Sequence, residues 1–265
     1  MVGTVTSVPT TPAAFIGHGS PMNALDRNRY TDAWRAFGAS VTRPRGVLAV
    51  SAHWYVPVTA VTSMTEPRTI HDFGGFPDDL FAVQYPAPGS PDLAAEVIAL
   101  LDPVPVVADD HQWGLDHGTW SVLAHVFPDA DVPVVQLSID ASRGIEHHLA
   151  LGRALAPLRE SGVLVLGSGN VVHNLGRIDW GAEDRGDDWA LRFDEAAREI
   201  MTTRPGDLAE LVDHPDFRAA APTPEHLWPL AYIAGVADAA GVVAVPFVEG
   251  PTLGSLTMTS YLVPT

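Results

Sequence analysis

The chain has 265 residues, 46% hydrophobic and 18% charged, a balance that excludes a disordered polymer and suits one large domain. Its 32 acidic and 15 basic residues give a net charge of −17, a field that disfavours nucleic acid and anionic membranes. Cysteine is absent, which excludes disulfides and thiolate metal sites and leaves any metal to nitrogen and oxygen donors.

The opening MVGTVTSVPTTP has no basic stretch and no apolar core, so it does not read as a secretory signal. No run reaches the ~18 apolar residues needed to cross a bilayer. The expectation is a soluble, cytoplasmic protein with a flexible segment at 1–12 and one domain at 13–265. The first strand, Ala13–Gly17, ends at His18, which stands between two glycines where the chain must turn sharply. Residues 26–38 carry Tyr30, Trp34 and Phe37 at helical spacing. The continuous apolar run 47–52 fits a strand buried on both faces and ends at His53. Another strand is expected at 58–64.

The segment 69–91 is dense in glycine, proline and aromatics, and a loop of that length in a compact domain reads as a lid or pocket wall. A helix at Pro91–Leu101 and a short strand at 104–108 precede the Gly- and His-rich DDHQWGLDHGTW. Further helices are expected at 119–127, 145–158, 189–203, 207–213 and 225–240, with strands at 132–139, from 163, at 242–248 and at 255–262. Strands alternating with helices predict an α/β fold. It is a single domain with a mostly parallel central sheet, helices on both faces, and its site at the C-terminal ends of the strands.

Histidines gather at those ends. His18, His53 and His173 follow three apolar strands, His226 sits beside a helix start, and His117 lies in a Gly-rich turn. Neutral imidazoles suit Zn²⁺ or Fe²⁺. His125 on an apolar helix face reads as a core residue, while adjacent His147 and His148 read as surface residues because neighbours on a helix diverge. His111 and His214 read as turn residues, and Asp109-Asp110 and Asp187-Asp188 as solvated turns. Ser20 and Ser168 lie outside any G-x-S-x-G elbow, which argues against a serine hydrolase.

Seven ordered motifs, FIGHGSPMNAL, VSAHW, IHDFGGFP, YPAPGSP, GLDHGTW, GSGNVVHNL and TPEHLWPL, span about residues 13–262. Together they resemble the DOPA-dioxygenase-type extradiol ring-cleaving family, within the class III superfamily of the protocatechuate 4,5-dioxygenase catalytic subunit. The resemblance implies His18, His53 and His226 as metal ligands, and His173 as a fourth ligand or as the acid–base residue. It also implies His117 as a residue facing the substrate and assisting proton transfer. One divalent ion is implied, Fe²⁺ for turnover, with Zn²⁺ bound as isolated because an all-histidine set leans toward zinc. The implied partners are a small catechol, such as DOPA, and O₂.

His71, Phe73, Tyr85 and Trp120, with Phe76, are the residues expected to wall a slot for an aromatic ring. No arginine falls within a histidine motif; Arg68, just ahead of IHDFGGFP, is the nearest to hand for a substrate carboxylate. Two rival readings stand beside the dioxygenase. One is a zinc-dependent hydrolase using metal-bound water. The other is a catalytically silent binding member of the superfamily.

Overall fold

A computed structural model describes residues 10–265. The expected flexible segment therefore falls mainly on residues 1–9, outside the described part. Thr11, within that segment, is hydrogen-bonded to the domain. The Thr11 amide donates to the Arg159 carbonyl at 2.9 Å, and Arg159 Nε donates back to the Thr11 carbonyl at 2.8 Å.

The strands are β1 (Ala13–Gly17), β2 (Gly46–Val56), β3 (Ala60–Thr62), β4 (Val107–Asp109), β5 (Val134–Asp140), β6 (Val163–Gly169), β7 (Val245–Val248), β8 (Pro251–Thr252), β9 (Leu256–Thr257) and β10 (Ser260–Val263). The helices are α1 (Arg29–Ser40), α2 (Asp78–Phe81), α3 (Pro91–Leu101), α4 (His117–Val126), α5 (Ile145–Leu155), α6 (Asp188–Thr203), α7 (Phe217–Ala220) and α8 (Trp228–Ala240). One eight-stranded sheet runs β4-β3-β5-β2-β6-β1-β10-β7, and β8 and β9 form a separate hairpin.

The central four strands, β5, β2, β6 and β1, are parallel. On one flank β3 runs antiparallel to β5; on the other β10 runs antiparallel to β1 and β7 to β10. The unbroken apolar runs of the central strands have a simple cause: alternate residues feed two different cores. Phe15, Leu48, Val50 and Val165 pack with α3, α5, α6 and α8 on one face. Ile16, Val47, Ala49, Leu164 and Leu166 pack with α1 and α4 on the other. Burial on both faces removes the polar alternation of a half-exposed strand.

Several boundaries differ from expectation, each for a local reason. β2 does not stop at His53 but continues to Val56. Between Val50 and Tyr55 its register with β5 breaks, and such a bulge re-aims side chains. Residues 255–262 split into β9 and β10, with Met258 and Thr259 between them. Helix α4 begins two residues early because Asp116 caps it, its carboxylate accepting the Thr119 amide at 3.1 Å. Residues 205–213 form a 3₁₀ turn rather than an α-helix.

Helix α5 also corrects a placement. It packs along α8, so His148 is fully buried, with Nδ1 3.1 Å from the Tyr232 hydroxyl. Asp109 is buried too: its carboxylate accepts the amides of Gln112 and Trp113, both at 2.7 Å, and so builds the turn that was read as solvated. No helix among the described residues is long and apolar enough to cross a membrane.

Candidate active site

Because β1, β6 and β2 are neighbours in the parallel centre, their C-terminal ends deliver residues to one place. The His18 amide donates to the Gly169 carbonyl at 3.0 Å, tying the end of β1 to the end of β6. His53 comes from the irregular part of β2, and His117 from the first turn of α4. His226 lies in the 3₁₀ turn ahead of α8, held by its carbonyl accepting the Asn170 amide at 2.9 Å. Gly169 permits that approach, since a Cβ there would collide with the His226 carbonyl. His173 is anchored by its amide donating to Ala220 at 2.8 Å. All five predicted histidines therefore meet at one cavity.

Hydrogen bonds on the far side of each ring fix its orientation. The Ser168 hydroxyl donates to the Gly118 carbonyl at 2.5 Å, so it can only accept from His18 Nδ1, 2.9 Å away. His53 Nδ1 lies 3.1 Å from Asp72 Oδ2, and His226 Nδ1 lies 3.2 Å from Glu225 Oε1. With Nδ1 of each ring committed to an acceptor, the Nε2 lone pairs are left for the centre. His18 Nε2 and His53 Nε2 face each other at 3.3 Å. Two lone pairs at that distance repel unless a proton or a metal cation lies between them, and two nitrogens each about 2.1 Å from one ion would be spaced in this way.

The ring spacings set His226 beside this pair. His18, His53 and His226 form a nearly equilateral triangle, with centroids 5.1, 5.3 and 5.1 Å apart. His117 is set differently, its centroid only 3.8 Å from that of His53. His18, His53 and His117 nevertheless each offer a ligand atom within 4.8 Å of the others, so the centre can hold a metal. His173 lies flat on His226, centroids 3.5 Å apart and planes 8° from parallel. Imidazole lone pairs lie in the ring plane, so two stacked rings aim at points separated by the stacking distance.

Burial governs the electrostatics. It drives the pKa of His18 and of His226 well below the ordinary value, and the neighbouring imidazoles lower them further. His173 is pushed down to about 4, again chiefly by burial. His117 is also lowered by burial, against the opposing pull of Asp72. His53 goes the other way. Burial opposes its protonation, but the Asp72 hydrogen bond and the carboxylates of Asp116 and Glu225 outweigh it and raise its pKa. Burial would raise the Asp72 pKa, yet His117 and His53 hold it far below the usual carboxylate range.

The cavity measures about 1570 Å³ and is walled by Phe73, Phe76, Leu175, Ile178, Trp180 and Met258. Phe73 and Phe76 line the cavity, and with Asp72 they are the part of the segment 69–91 that forms its wall. His71, Tyr85 and Trp120 do not face the cavity; they brace the wall from behind. Tyr85 is buried and donates to the Phe127 carbonyl at 2.9 Å; Trp120 is buried and donates to Ile70 at 2.8 Å. His71 Nε2 lies 2.9 Å from the Val83 carbonyl. Arg68 is spent on the Gln112 carbonyl, outside the cavity.

Asp72 was not singled out in the sequence. Its Oδ1 accepts the His117 amide at 2.9 Å and lies 3.0 Å from His117 Nδ1, while Oδ2 serves His53. The only sequence signal was its place between His71 and Phe73 in a Gly-rich aromatic loop.

Residues 12–254 match the family described as the catalytic LigB subunit of aromatic ring-opening dioxygenase. The chain belongs to this family. It is 46% identical over 253 residues to a 4,5-DOPA dioxygenase extradiol of Escherichia coli K12, covering 94% of this chain and 93% of that one. It is 37% identical over 233 residues to the enzyme of the same name from Beta vulgaris, covering 84% and 85%. The crystal structure of an uncharacterized protein from Escherichia coli K12 superimposes with a TM-score of 0.84 at 41% identity. That match covers 96% of this chain and all of that one. The protein is accordingly an extradiol ring-cleaving dioxygenase, acting on a small aromatic substrate with O₂ at a metal-dependent site.

Proposed function

We propose that the protein opens the ring of a small catechol, DOPA or a close analogue, with His18, His53 and His226 holding one divalent ion. The observation that carries this reading is the 3.3 Å approach of two Nε2 atoms whose rings are fixed from behind by Ser168 and Asp72. Two relatives bearing the DOPA dioxygenase name support the substrate class. Iron(II), the ion proposed for turnover, would lower the catechol pKa and bring both catechol oxygens and O₂ to one centre.

The chain's own residues do the rest. Phe73 and Phe76 clasp the aromatic ring and keep water from its face. His117, neutral because it is buried, is placed to accept the second phenolic proton at Nε2 while Asp72, accepting its backbone amide, steadies the residue. His173, stacked on His226 rather than aimed at the same point, is assigned proton delivery to the opening ring instead of a fourth ligand position.

The test is anaerobic loading with Fe²⁺, admission of air and a catechol panel, followed by oxygen uptake and the yellow of a ring-opened product. Product that disappears in His18→Ala and His53→Ala is the expected outcome. Full metal loading without oxygen uptake on any catechol would overturn the reading. Equal turnover by zinc- and iron-loaded protein would overturn the choice of iron.

A further inference from the structure

The histidines lie at the buried floor of the cavity, whereas its mouth is charged. Asp26, Glu183 and Asp184 are exposed there, and Arg29 is the one arginine among the described residues lining the cavity. In a protein of net charge −17, a mouth with three carboxylates stays net negative even with this residue, so an anionic group can be held there only by pairing directly with the Arg29 guanidinium.

Arg29 is held in place. Its Nη2 donates to the Tyr30 hydroxyl at 2.7 Å, its Nη1 to the Glu249 carbonyl at 3.3 Å, and its guanidinium lies 4.5 Å over the Tyr30 ring. Gly250, at φ +128°, leaves the room, since a Cβ there would stand 2.5 Å from Nη2. Tyr30 and Glu249 bring no charge to the contact. The carboxylate within reach is Asp184, 3.5 Å away, and the two side chains are 56% and 78% exposed, a contact weak enough for a ligand to displace. A guanidinium has five donors, so several remain for a ligand carboxylate in the paired geometry that such groups favour.

We propose that Arg29 is the specificity-determining residue of this cavity and selects aromatic substrates whose side arm carries a carboxylate. The inference rests on the ring-cleavage reading only in placing the aromatic ring at the histidines; the arm then extends toward the mouth. Asp26, Glu183 and Asp184 line the same cavity, with Asp184 in contact with Arg29, so removing that one positive charge reverses the preference toward an ammonium arm.

Binding of three monophenols that cannot be cleaved as catechols decides the matter: para-hydroxyphenylpropionate, para-ethylphenol and tyramine, measured by calorimetry on wild type, Arg29→Leu and Arg27→Leu. Wild type should bind the propionate most tightly. Arg29→Leu should weaken the propionate about tenfold or more, leave the neutral phenol unchanged and tighten tyramine. Arg27→Leu, which alters an exposed residue outside the cavity, should keep the wild-type order. An equal loss across all three ligands in Arg29→Leu, or no loss, would overturn the proposal. With the matching catechols, the KM for the propionate should rise while kcat holds. If wild type opens no catechol, the ring-cleavage reading fails, and the binding series still decides the role of Arg29.

Discussion

Asp72 does more per atom than any other residue around the centre. A single carboxylate holds His53, which we propose as a ligand, and His117, which we propose as the proton carrier, and so fixes the distance between them. Asp72→Asn keeps the shape but gives up one of the two oxygen acceptors and the negative charge. Partners behind a metal ligand typically contribute a factor of about 10 to 100 in metal affinity or activity. The expected result is a loss of that size in kcat or in retained metal, with the melting temperature nearly unchanged; wild-type values for both would remove Asp72 from the positioning role. Ser168 and Glu225 belong to the same outer layer, each turning one imidazole by its Nδ1.

Helix α6 shows how burying one charge sets a pH response away from the site. Asp194 accepts from the Thr259 hydroxyl at 2.8 Å, but its Oδ1 is buried without a partner. Burial raises its pKa to about 6, and Glu249 and Glu195 add to that, against the hydrogen bonds from Thr257 and Thr259. The folded protein thus binds this proton more tightly than the unfolded chain. The carboxyl contributes most stability below the ordinary aspartate range, and the contribution is lost as pH rises toward about 6. At neutral pH the buried charge costs up to about 3 kcal/mol. Asp194→Asn should therefore melt higher than wild type at pH ~7.5 and show no gain at pH ~4. A gain of equal size at both would mean that the carboxylate is not the cause.

At the scale of the whole molecule, the centre exists only in the folded chain, because its histidines come from residues as far apart as His18 and His226. A metal that binds the native state alone must stabilise it, by about 2.7 kcal/mol at a free concentration a hundred times its Kd. For a domain of this size that corresponds to a rise of at least about 5 °C in melting temperature. Adding Fe²⁺ anaerobically, or Zn²⁺, to chelator-treated protein should produce that rise, and His18→Ala should abolish it. No shift in wild type at saturating metal would contradict a preformed site. The strand order matters here: β2, β6 and β1 lie side by side, so three chain segments distant in sequence end at one edge.

Much of this was legible in the amino-acid order. Apolar runs ending in Gly or Ser and then histidine disclosed both the buried parallel strands and the residues at their ends, because local constraints, period and turn chemistry, govern both. The five histidines of the centre and the fold class followed from such local patterns, and the family from the resemblance of seven ordered motifs. What the order of residues could not disclose was direction and depth. Tyr85 and Trp120 have the right chemistry for a slot, yet tertiary packing turned them into the wall's backing. His148 was hidden by α8, an element some eighty residues away along the chain. Asp72 gained its role because two imidazoles from β2 and α4 converge on it, and Arg29 because α1 begins at the cavity's mouth. Hydrophobic period and turn residues are properties of neighbouring positions and can be read along the chain. The partner of a hydrogen bond and the face a side chain presents depend on packing between distant segments, and only the folded molecule decides them.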